Sequence, residues 1–128
     1  QRLTLRSRFK LYIRNHNLLL RQFQEQKTME VLERLLSNWK QMMEELSGKP
    51  ITTYTSKEIH TLYNDPRLLV ALQNIDITLY SGVFSDQLVV DLEIVYNKSK
   101  LEFQKWTLAK VLKNCQIKSK NSKKNTSN

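Results

Sequence analysis

Glycine and proline are scarce in this chain, with two of each among 128 residues. All-β proteins need many tight turns, and turns draw on those residues, so the shortage disfavours sheet and favours long helices. Cysteine is scarcer still. Cys115 alone excludes an internal disulfide and any cysteine-based metal site. No apolar run approaches the ~20 residues of a bilayer-spanning helix, and no signal peptide is visible. With only Gly48 and Gly82, neither a P-loop nor a dinucleotide-binding fingerprint can be written. Acidic residues are missing where basic ones gather. Residues 1–27 hold seven basic residues and one acid, Glu25, and residues 110–128 hold six lysines and no acid. The stretch 28–109 holds eight basic and eleven acidic residues, so the net +9 belongs to the ends. A mildly acidic body between basic ends points to an anionic surface. A dedicated nucleic-acid domain would carry the charge over its folded face as well.

What is present is enough for one modest domain. The hydrophobic fraction is 40 %, with four Phe, two Trp and five Tyr, which is a globular composition. The chain opens on Gln1, so it is expected to be a piece of a longer protein or a processed one, with room for a transmembrane helix upstream. The division expected is a basic amphipathic, juxtamembrane helix over 1–27, a bundle core over 28–115 and a disordered Lys/Asn/Ser-rich tail over 116–128.

Apolar residues recur at three- and four-residue steps in five stretches, which predicts an all-α fold, a four- to five-helix bundle. Leu5, Phe9, Tyr12, His16, Leu19 and Phe23 mark a helix over 3–26. Leu32, Leu35, Leu36, Trp39, Met42 and Met43 mark one over 29–47, stopped by Gly48 and Pro50. Thr55-Ser-Lys-Glu58 is a capping box, with Tyr54 and Ile59 placed as a hydrophobic staple, opening a helix over 56–63. Asp65 caps a helix that starts at Pro66 and runs to Tyr80. The last, over 87–115, turns Leu88, Leu92, Val95, Tyr96, Phe103 and Trp106 inward, with Leu101, Leu108, Val111 and Leu112 widening that face. The strand-like Ile51–Tyr54 is too short to pair alone.

No constellation carries catalytic chemistry. His16 and His60 fall on different helices without metal-ligand spacing, and a Cys115–His nucleophile is disfavoured by a fraying helix end. The adjacent acids Glu44/Glu45 and the pair Asp91/Glu93 read as solvated faces. Asp76 reads as a residue at the edge of the apolar stripe bonded to a neighbour, or as a buried acceptor orienting Tyr80, Tyr54 or Lys57. Trp39 and Trp106 read as core anchors. The expectation is a protein that is not an enzyme, with no cofactor and no metal. The basic first helix reads as a solvated face, as a juxtamembrane segment meeting anionic lipid, or as a nucleic-acid contact. The contact residues expected are Arg2, Arg6, Arg8, Lys10, Arg14 and Arg21.

The pattern Trp39, Leu46-Ser-Gly-Lys-Pro50, Tyr54-Thr-Ser-Lys-Glu-Ile59, Asn64-Asp-Pro66, Ile75-Asp76 and Leu79-Tyr80 is similar to the cytoplasmic helical region of membrane-anchored proteins encoded with bacterial Bat-type (aerotolerance) gene clusters. The resemblance covers about a third of the chain. It implies a non-enzymatic interaction domain on the cytoplasmic side of the inner membrane, beside a MoxR-type ATPase and von Willebrand A-domain proteins. The partners expected are an anionic membrane surface and a protein of unknown identity. The alternative function is a nucleic-acid-binding domain using the first helix and the tail.

Overall fold

The computed structural model describes the backbone of residues 3–126 and the side chains of residues 3–121. Five helices and one short 3-10 turn account for the order of elements, and no strand occurs among the described residues. They are α1 (Leu5–Glu25), α2 (Met29–Ser47), α3 (Ser56–Tyr63), α4 (Pro66–Ser81) and α5 (Gln87–Thr126), with the 3-10 turn at Ile51–Thr53. The all-α bundle predicted from periodicity is the observed fold.

Local chemistry sets the boundaries. The Thr4, Thr28 and Asp65 side chains accept from the backbone N–H three residues on, at Ser7, Val31 and Leu68. Both arms of the Thr55/Glu58 capping box are formed, each at 3.2 Å. Gly48 and Gly82 end α2 and α4 at φ 71° and 73°, in the left-handed region that L side chains avoid. Asn64 takes the same conformation at φ 50° and ends α3. The short segment at Ile51 is a helical turn, with Ile51 itself fully buried.

Contacts between three pairs of helices fix the topology. Arg8 pairs with Glu45 at 3.2 Å, so the start of α1 lies beside the end of α2. Phe9 stacks on Phe103 while Phe23 meets Phe84, so α1 runs antiparallel to α5. Asn74 reaches Asp91 and Asp65 reaches Lys98, so α4 runs antiparallel to α5. α3 packs on α4, and Ser56 donates to the Asp76 carboxylate at 2.6 Å. Asp76 is exposed, which settles it as an edge residue bonded to a neighbour.

One core joins all five helices, and it includes Phe9, Tyr12 and Phe23 of α1. α1 therefore shares its packing with the rest of the bundle. Trp39 sits at its centre, 1 % exposed. Trp106 is only half-buried, stacked on Phe103 with the Lys110 ammonium over its ring.

Two expectations about α5 need correcting. Leu101, Leu108, Val111 and Leu112 do not widen the inner face; all four are exposed. Helical periodicity gives the phase of an apolar stripe but not whether a second stripe has a partner. The helix also continues to Thr126 rather than ending at 115, and residues 108–121 are exposed on every side. Asp91 is a further correction: it is buried, not solvated, and accepts from the amides of Asn74 and Gln87.

Candidate functional site

The phase of α1 sorts its basic residues. Phe9, Tyr12, His16 and Phe23 point inward. At roughly 100° per residue, Arg6, Lys10, Arg14 and Arg21 fall within one quadrant centred about 130° from that buried line. All four are exposed, and none is in an ion pair among the described residues. They form a stripe along the outer face of the helix. Arg8 stands apart: it turns toward α2, is half-buried and is neutralised by Glu45. Arg2 lies outside the described residues.

Behind the stripe is an aromatic layer. His16 stacks on Tyr96 with centroids 3.8 Å apart, and Phe9 stacks on Phe103 at 4.0 Å. Between them the Tyr12 hydroxyl bonds Ser99 Oγ at 2.8 Å, and Ser99 donates to the Tyr96 carbonyl. Ser99 has one proton and spends it on that carbonyl, so Tyr12 is the donor to Ser99. Burial holds the Tyr12 phenol well above its ordinary value despite that bond. Burial, with the Lys100 charge adding to it, pushes the His16 imidazole down to about 4, so it is neutral at physiological pH.

A second polar cluster lies at the other side of α5. Lys98 is buried and faces Asp65 and Glu102, each at 3.5 Å, beneath the Tyr63 ring. Burial and the Glu102 charge raise the Tyr63 phenol to about 12. Partial burial of Asp65 is outweighed by the Leu68 amide and Lys98, which hold its carboxyl below the ordinary range. Each charge in this cluster has an opposite partner, as a buried ion network requires. Lys98, Ser99 and Asp91 escape sequence reading because their burial depends on which residues of α1 and α4 come opposite.

Between α1 and α2 runs an open groove with two recesses of about 230 and 370 Å³, lined in common by Asn15, Asn38 and Gln41. Its walls hold amides and no nucleophile with a base. Neither His16 nor His60 makes a side-chain hydrogen bond among the described residues. No three His, Cys, Asp or Glu side chains gather into a metal-ligating group there, and no described helix is long and apolar enough to cross a membrane. Cys115 is exposed on the projecting part of α5. Of the arrangements described, the α1 stripe is the one with unspent charge in a regular geometry. No protein-family model, no curated protein and no solved structure matches this chain.

Proposed function

We propose that this chain is a non-enzymatic helical interaction domain that rests on an anionic surface through the outer face of α1, as the cytoplasmic part of a membrane-anchored bacterial protein. The observation that carries the reading is the exposed, unpaired stripe Arg6, Lys10, Arg14 and Arg21. A basic residue at an anionic bilayer contributes on the order of 1 kcal/mol, and the attraction falls off within a Debye length. Four on one face therefore give a useful but salt-sensitive attachment. A stripe on a helix whose other side is locked into the core presents its charges with the backbone already ordered. The Bat-type kinship belongs to this proposal and rests on the local pattern of residues 39–80. Part of that pattern also serves folding here: Trp39 is the core anchor and Thr55-to-Glu58 the helix cap.

The test compares surfaces. The chain is sedimented with vesicles of anionic and of neutral lipid, beside titrations with duplex and single-stranded nucleic acid at physiological salt. Binding to anionic vesicles that is lost in Arg6→Gln/Lys10→Gln/Arg14→Gln/Arg21→Gln supports the reading. Tight nucleic-acid binding with none to anionic vesicles overturns it in favour of a nucleic-acid-binding domain.

A further inference from the structure

α5 has two apolar faces. The first is built into the core: Leu88, Leu92 and Val95 are buried with Ser99, and Phe103 packs behind them. The second comprises Val90, Ile94, Leu101, Leu108, Val111 and Cys115, with Asn97 and Gln104 filling the steps between. From Val90 to Cys115 the steps alternate four and three throughout. That alternation is the a/d seam of a coiled coil, with Ile94, Leu101, Leu108 and Cys115 at successive a positions. At roughly 100° per residue the seam points about opposite to the buried line. Its accessibility agrees from Leu101 on: Leu101, Leu108 and Val111 are 45 %, 59 % and 51 % exposed, whereas Ile94 is half-buried against the core. A cleft of about 220 Å³ opens beside it, between Ile94 and Leu101 of the seam and Asp65 and Arg67 at the start of α4.

The shape and charge of the seam select its occupant. The stripe is narrow, widened only by exposed Leu112 towards its far end, and extends about 38 Å along the helix, which suits one partner helix better than a membrane interface, where a helix presents a broad apolar face. Glu93 and Lys100 flank it at successive g positions and Lys105 at e, all exposed, with Lys105 also within 3.7 Å of Glu102. After Glu102 the chain contains no acidic residue. Two copies joined in parallel along this face would set their lysine-only stretches after Glu102 side by side, with no acid in those stretches to offset them. Coiled-coil partners are chosen by complementary e and g charges.

We propose that the outer face of α5, from Val90 to Cys115, docks an acidic partner helix carrying its own four-three apolar stripe. The site is independent of the α1 stripe, and α5 supplies both the hydrophobic register and a charge that opposes parallel self-pairing.

The test uses the full chain at physiological salt and three synthetic four-heptad peptides followed by fluorescence anisotropy. One carries Ile at a, Leu at d and Glu at e and g. The second replaces those Glu by Lys. The third keeps the acidic composition with the apolar residues moved out of register. The acidic in-register peptide is expected to bind saturably, and the other two at least tenfold more weakly. Leu101→Gln with Leu108→Gln should weaken it at least tenfold while leaving the melting temperature in place, because both residues are exposed. The Gln variant of the four α1 residues should bind the peptide as before, which separates this site from the proposed surface contact. No binding of the acidic peptide, or equal binding of the out-of-register one, overturns the proposal. So does an unaffected double variant. Self-association in sedimentation equilibrium that the double variant abolishes would assign the face to a second copy. Vesicle binding lost in that variant, without peptide binding, would assign it to lipid.

Discussion

His16 is a histidine whose surroundings leave no room for a proton. Its ring lies flat on Tyr96 and is 5 % exposed, and the only charge that acts on it strongly is the like charge of Lys100. The folded state holds its pKa near 4, against an ordinary value of 6.5 in the unfolded chain. Between those values the unfolded chain binds more protons, so stability rises with pH through that window and is complete above it. Lowering the pH from 7 to 5 should cost about 2 kcal/mol through this residue alone. Urea unfolding at the two pH values, in the wild type and in His16→Phe, isolates the contribution. Phe keeps the stack and has nothing to protonate, so its loss over the same interval should be smaller by about that amount. An equal loss in both would move the acid sensitivity to the carboxylates. Trp39 works differently: its contribution is burial at the meeting point of the helices, and Trp39→Ala should cost roughly 3–5 kcal/mol in denaturant unfolding. A cost below about 1 kcal/mol would show that the core can close over the site.

At the scale of elements, local signals are decisive at some boundaries and silent at others. Thr55→Ala removes the acceptor for the Glu58 amide and should lower unfolding free energy by about 1 kcal/mol. An unchanged denaturant midpoint would count against the cap. Capping boxes, Pro66 and the two glycines are read within four residues of chain, which is why α2, α3 and α4 are legible in the sequence to within a residue. α5 is not. It lacks a stop signal near 115, its two apolar stripes overlap in sequence, and only the placement of α1, α2 and α4 decides which of them is core. The stripe on α1 was legible as charge, but the separation of Arg8 from its neighbours required Glu45 to be seen beside it. The exposed end of α5 has a plain consequence. A chain ending at Thr107 should unfold within about 0.5 kcal/mol of the full chain, since the described side chains it loses, 108–121, are all exposed. Its total helical ellipticity should still fall by the share of the removed residues. A large drop in stability would mean that the projecting segment packs on the bundle.

At the scale of the molecule, antiparallel packing gathers the basic ends. The start of α1 lies beside Phe103 of α5, so Arg6 and Lys10 share one end of the bundle with the projecting lysines Lys110, Lys113, Lys118 and Lys120. Distance decides whether they act together on a surface held by α1. α5 packs antiparallel against the inward side of α1, so its lysines stand back from such a surface by up to a helix spacing of about 8–10 Å. At physiological salt the Debye length is about 8 Å, so their pull on a surface that touches only the α1 stripe is largely screened. In about 0.01 M salt the length grows to about 30 Å and spans that separation. If α1 makes the surface contact, removing residues 108–128 should change affinity for anionic vesicles by less than about threefold at physiological salt. The same truncation should weaken it several-fold more at low salt, where long-range attraction counts all the charges. The four-residue Gln variant of α1 should lose binding at both. A truncation that abolishes vesicle binding at physiological salt would place the lysines of α5 on the lipid itself and remove α1 from the contact.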